Sequence, residues 1–99
     1  MVTYEVSASV EPSVADKYEQ YMKGKHLRDV LATGCFVSAT LERAGAGKYR
    51  ASYRARNRHD VDRYLRDHAD VLRQDFAEHL PAGIQLARDV WEELVSVSE

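Results

Sequence analysis

The order of hydrophobic patterns predicts an α+β domain: a ferredoxin-like βαββαβ chain whose helices pack on one face of a four-stranded antiparallel sheet. Three observations predict it. Four segments alternate apolar and polar residues with a period of two, the mark of a half-buried strand. Two segments between them carry apolar residues at helical spacing. The 99 residues leave no length for a linker or an internal repeat, so residues 1–99 are expected to form one domain.

The first strand is read from Val2, Tyr4, Val6, Ala8 and Val10, which alternate with Thr3, Glu5, Ser7 and Ser9. Pro12 donates no ladder hydrogen bond and ends it, and Ser13 followed by Asp16 resembles a capping box. Val14, Tyr18, Tyr21 and Met22 then form a helical stripe that loses phase at Gly24-Lys25-His26. A helix end is expected there, followed by a short second helix from about His26 to Thr33, stopped by Gly34.

The second strand is expected from Cys35, with Cys35, Val37, Ala39 and Leu41 on one face and Phe36, Ser38, Thr40 and Glu42 on the other. Ala44-Gly45-Ala46-Gly47 is a hairpin turn, because glycine reaches positive φ without strain. The third strand alternates Tyr49, Ala51, Tyr53 and Ala55 against Arg50, Ser52, Arg54 and Arg56. Asn57 with Asp60 caps the next helix, read as one unbroken stripe of Val61, Tyr64, Leu65, His68, Leu72, Phe76 and Leu80. Asp62, Arg66 and Asp70 stand four apart on its outer side as an exposed ion-pair ladder. After Pro81-Ala82-Gly83 the last strand begins at Ile84, with Leu86, Arg88 and Val90 alternating against Gln85, Ala87, Asp89 and Trp91. Leu94, Val95 and Val97 make the tail apolar enough to be expected to pack.

With both helices on one side of the sheet, the other side is left with a polar row that includes two large apolar members, Phe36 and Trp91. Such a mixed face suits a second copy closing over it, so the chain is expected to be a homodimer forming a dimeric α+β barrel. The pocket between sheet and helices, or the lumen between two sheets, is then the natural small-molecule site.

Composition excludes several classes. Fourteen basic against 16 acidic side chains leave a net charge of −2, with no bulk attraction to nucleic acid or anionic membrane. RNA-recognition domains share this order of elements, but Tyr49 and Tyr53 fall on the core row, leaving no stacking platform. The single cysteine rules out an intrachain disulfide and suits a reducing compartment. Without a basic and apolar leader pattern or a long apolar run, a cytoplasmic protein is expected. No phosphate-binding glycine loop, nucleophile elbow or metal-ligand cluster is present, and no cofactor or metal is expected.

The candidate site residues follow from position. His26 lies at the phase break, where an imidazole titrating near neutrality can serve as general acid or base, or can simply bond a free helix-end group. His68 interrupts an apolar stripe, as a ligand contact or as a satisfied core side chain. Arg50 and Arg54 project with Arg56 from the uncovered face, with Glu5, Glu42 and Asp89 on the same face, as an anion-binding patch or as mutual ion pairs. The expected set is therefore His26 as acid–base residue and Arg54, Arg50, Glu5 and His68 as ligand contacts. His79 suits the negative end of a helix dipole, and Cys35 reads as inert packing.

The stretch from Gly24 to Phe36, followed by Tyr64-Leu65-Arg66-Asp67-His68-Ala69 and Leu72-Arg73, resembles a family of short bacterial proteins, a domain of unknown function. That resemblance implies the ferredoxin-like or dimeric α+β barrel architecture and carries no activity. More distantly the chain is similar to antibiotic-biosynthesis monooxygenases. The reading that follows is a binding protein for a small organic molecule, with or without cofactor-free turnover. The alternative is a non-catalytic homodimeric interaction protein.

Overall fold

The computed structural model describes residues 1–99. Strand β1 runs over Val2–Val10, followed by a 3-10 turn at Pro12–Val14 and helix α1 at Ala15–Tyr21. A π-turn over Met22–His26 joins α1 directly to α2, Leu27–Leu31. Strands β2 (Ser38–Arg43) and β3 (Lys48–Ala55) form the hairpin. Helices α3 (Arg58–Asp67) and α4 (Ala69–His79) precede β4, Ile84–Glu92. The four strands form one antiparallel sheet in the order β2-β3-β1-β4.

Strand parity sets the core. The inner row of β3 alternates large and small side chains, Tyr49, Ala51, Tyr53 and Ala55, all buried. The alanines leave room for rings from elsewhere. Tyr18 packs on Tyr49 with ring centres 4.7 Å apart, and Tyr4 lies 6.0 Å from Tyr53 and 5.7 Å from Tyr64. All six tyrosines of the chain are buried, so the core is an aromatic slab whose hydroxyls must each find a partner or reach its rim. Asn57 caps α3 as expected from the sequence, its side-chain oxygen accepting from the Asp60 N–H at 2.9 Å.

The sheet does not close into the barrel expected from the sequence. It is open, with β2 and β4 as its two edges. The expectation counted Phe36 among the large apolar groups of the outer face, assuming that strand parity ran from Cys35. The ladder of β2 begins only at Ser38. Cys35 and Phe36 lie outside it and are both buried, and the Phe36 ring packs 5.0 Å from Tyr64 on the helix side. Trp91 alone remains as a large apolar group on the outer row, and its indole N–H donates to Glu5 Oε2 at 3.0 Å. A face this polar can lie open to water.

Other local expectations change for equally specific reasons. The phase break at Gly24-Lys25-His26 is a π-turn inside a continuous helix, since one widened turn shifts the apolar stripe as a break would. Ser13 makes no capping bond, because the chain enters α1 through the 3-10 turn. The second helical segment is divided at His68, whose backbone (φ −127°) leaves the helical region. The outer ladder re-pairs locally: Arg58 meets Asp62 at 3.0 Å and Arg66 meets its neighbour Asp67 at 2.8 Å. The tail does not pack; Leu94, Val95 and Val97 are exposed.

Candidate functional site: a tyrosine-floored pocket between sheet and helices

Between the sheet and α1/α4 lies a pocket of about 260 Å³. Its floor is buried: Tyr4 and Tyr53 from the sheet, Tyr18 and Met22 from the first helical segment, Tyr64 from α3. Its mouth is exposed: Arg73 and Ala77 of α4 and Arg88 of β4. Arg73, Phe76 and Ala77 fall on one face of α4 by helical spacing, and that face, with Leu80 just past the helix end, roofs the pocket. Arg88 belongs to the helix-facing row of β4, between Leu86 and Val90 and opposite Val6 of β1. Arg88 is exposed and lines the pocket from the edge strand of the sheet.

His26 enters this wall because of the π-turn. Tyr18, Met22 and His26 are spaced by four, and in a straight α-helix the third would drift about 80° from the first. The wider turn over Met22–His26 removes most of that drift, so all three line the same pocket.

The surroundings of His26 define its protonation. Tyr21 donates its single hydroxyl proton to Asp75 Oδ2 at 2.6 Å. The 3.4 Å contact between the Tyr21 oxygen and His26 Nδ1 can then be a hydrogen bond only if His26 donates, which places the proton on Nδ1 and leaves the lone pair on Nε2. Burial lowers the His26 pKa to about 4, against the opposing pull of Asp29 and Asp75. The ring is therefore neutral at pH 7, a base rather than an acid. Asp75 is held below the usual carboxylate range by the Tyr21 hydroxyl and by Lys25, whose ammonium also reaches Asp29 at 2.6 Å. His79 stacks on Tyr21 at 4.7 Å and encloses the group on the other side.

Of the tyrosine hydroxyls, Tyr4 accepts from Arg73 at 3.2 Å, Tyr21 serves Asp75, and Tyr49 donates to Glu19 at 2.5 Å. The Tyr53 hydroxyl is buried with no partner at all, and burial keeps it protonated. The Tyr53 residue itself lines the same pocket.

The remaining residues expected from the sequence lie elsewhere. Arg50 meets Glu42 at 2.8 Å and Glu5 at 3.5 Å, and Arg54 meets Glu93 at 3.9 Å, all on the outer face. A broad, open trough of about 900 Å³ runs over that face past Ser7, Arg50 and Ala87. His68 is half-buried at the α3–α4 joint, stacked 6.4 Å from Tyr64 and outside the pocket wall. Structure thus brings His26 alone of the expected set into the pocket. Arg73 and Arg88 were missed as site residues, although a signal was there: Arg88 is a charge in an otherwise apolar row, Ile84-Leu86-Arg88-Val90. No group of three or more His, Cys, Asp or Glu side chains is placed to hold a metal ion, and no helix is long and apolar enough to cross a membrane.

Residues 1–93 match the family model described as a domain of unknown function, DUF4286. The chain belongs to the DUF4286 family. Among curated proteins, none matches this DUF4286 chain. Solved structures resemble it over nearly its whole length. A candidate antibiotic biosynthesis monooxygenase from Deinococcus radiodurans aligns at a TM-score of 0.72 and 14% identity, covering 100% of this chain and 98% of the other. Rv0793 from Mycobacterium tuberculosis aligns at 0.68 and 17% identity, covering 99% and 100%. A candidate antibiotic biosynthesis monooxygenase from Nitrosomonas europaea aligns at 0.66 and 11%, covering 96% and 100%. At such identities the likeness carries the fold of this DUF4286 domain and not its chemistry.

Proposed function

We propose that this DUF4286 domain binds a small, largely apolar organic molecule in the sheet–helix pocket, with neutral His26 in its wall as a general base available for turnover without a cofactor. The observation that carries the reading is the pocket itself, a cavity of about 260 Å³ floored by the buried rings of Tyr4, Tyr18, Tyr53 and Tyr64 with His26 in its wall. The fold relatives described as antibiotic biosynthesis monooxygenases support the choice of an organic small molecule. Of the residues expected from sequence, the proposal keeps His26. Arg50, Arg54 and Glu5 engage carboxylates and the Trp91 indole across the sheet, and the outer trough is too open to enclose a ligand.

The test is a thermal-shift screen against a metabolite panel with wild type and Ala77→Trp, which places an indole at the exposed mouth. Compounds that raise the wild-type midpoint by several degrees should leave Ala77→Trp unmoved. If the same compounds protect both proteins equally, the binding site is not this pocket.

Self-association is a second reading, and one observation favours it: Trp91 is 57% exposed, beside a tail carrying exposed Leu94, Val95 and Val97. Sedimentation equilibrium should show a homodimer in wild type that weakens at least tenfold in Trp91→Gln. A wild-type chain that stays monomeric across the accessible concentrations would remove the interaction reading.

A further inference from the structure

The charged groups that line the pocket are all positive, and its one free acceptor nitrogen is that of neutral His26. No aspartate or glutamate lines it, whereas Arg73 and Arg88 both do. Of the ten arginines, Arg43, Arg50, Arg54, Arg58, Arg63 and Arg66 are each paired with a carboxylate; Arg28, Arg56, Arg73 and Arg88 are not, and of these four only Arg73 and Arg88 line the pocket. The only polar contact of Arg73 is its donation to the Tyr4 hydroxyl at 3.2 Å, and Arg88 makes none. Two uncommitted guanidiniums at one mouth, in a chain of net charge −2, are not general surface basicity. Beneath them the floor is aromatic: Tyr4, Tyr18, Tyr53, Tyr64 and Phe76.

Resting on the pocket-binding reading above, we propose that the ligand is an aromatic carboxylate, its ring against the tyrosine floor and its carboxylate held by Arg73 and Arg88. Arginine is suited to this because its planar fork donates two parallel hydrogen bonds to one carboxylate. The two guanidiniums donate hydrogen bonds and accept none, so a neutral or cationic ligand of the same shape leaves their charge unmatched. The volume of about 260 Å³ lies near the lower end of the roughly 300–1,000 Å³ usual for ligand pockets, which suits a one- or two-ring acid.

Calorimetric titration with 2-naphthoate and its uncharged isostere 2-naphthamide tests the assignment. Wild type should bind the acid at least tenfold more tightly than the amide, and raised salt should narrow that gap. Arg88→Gln removes a side chain with no partner in the fold and should lose at least tenfold in affinity for the acid while holding the amide within threefold. Arg73→Gln should do the same, and Arg73→Lys, which keeps the charge without the fork, should fall between. Arg66→Gln, on the outer side of α3, should match wild type. Equal binding of acid and amide, unaltered in the arginine variants, overturns the carboxylate assignment and leaves the pocket itself standing. Failure of both ligands to bind overturns the two together.

Discussion

His26→Asn is expected to abolish most of the fall in stability that the wild-type domain shows between pH 6.5 and pH 4. In the folded chain the His26 pKa is lowered to about 4 by burial, while in the unfolded chain it returns to the ordinary imidazole value of 6.5. Between those values the unfolded state holds a proton on this ring and the folded state does not. Protonation therefore favours unfolding, stability is full above pH 6.5, and it falls as pH drops towards 4. For a shift of this size on a half-buried ring the loss is about 2–3 kcal/mol, discounted for the water that reaches it. The groups facing His26 cannot produce the same limb. Asp75 has a lowered pKa and Lys25 a raised one, and Tyr21 is raised further, so all three titrate outside the window. Asparagine keeps a polar group near the Tyr21 hydroxyl and does not titrate. Urea unfolding from pH 7.5 to 4.5 should show a steep slope in wild type and a shallow one in the variant. Parallel slopes would mean that another group is responsible, and the neutral-base role of His26 would lose its footing.

The hairpin carries the second large effect. Gly47→Ala should destabilise the domain by about 2–4 kcal/mol, and Gly45→Ala by only about 1 kcal/mol. Both glycines have positive φ, +75° at Gly45 and +74° at Gly47, so both substitutions meet the same backbone penalty. They differ in what surrounds the new methyl group. At Gly45 nothing lies within 4 Å, whereas at Gly47 the added carbon would sit 2.5 Å from the Val10 carbonyl oxygen. That carbonyl cannot move aside, because the Val10 N–H donates to the Gly47 oxygen at 2.7 Å, at the end of the β1–β3 ladder. Chemical denaturation of the two variants side by side measures the difference. Equal losses would show that the β1 end yields, and that only the φ penalty counts.

The residues that were legible are those whose neighbours along the chain settle their fate. Val2 to Val10, Tyr49 to Ala55 and Ile84 to Val90 alternate through whole strands, and pairing in register placed each row where its parity put it. Asn57 caps by a bond to a residue three away. Parity failed at Cys35-Phe36-Val37 because an alternating pattern does not say where hydrogen bonding starts, and here it starts at Ser38. That offset moved Phe36 from the outer face into the core, and with it went the reason for a closed barrel. At His26 the pattern located an irregularity, but a helix end and a π-turn shift the stripe alike, and only the backbone distinguishes them.

The site divides along the same line. His26 could be nominated from its place at the phase break, and Arg88 could have been from its place in an apolar row. What one-dimensional pattern could not supply was their meeting. Arg73 and Arg88 are separated by a helix end and a turn, and Tyr53 is buried by rings from remote segments, Tyr4 and Phe36 among them. Sequence alone determined the α+β class, the strand rows and the candidate base, because these depend on periodicity and on residues a few positions apart. Tertiary structure alone decided that the sheet stays open, that Arg50 and Arg54 on its outer face are paired with acids, and that Arg73 and Arg88 at the pocket are not. Charge pairing and cavities arise from distances between remote elements, and those distances exist only once the helices have docked on the sheet.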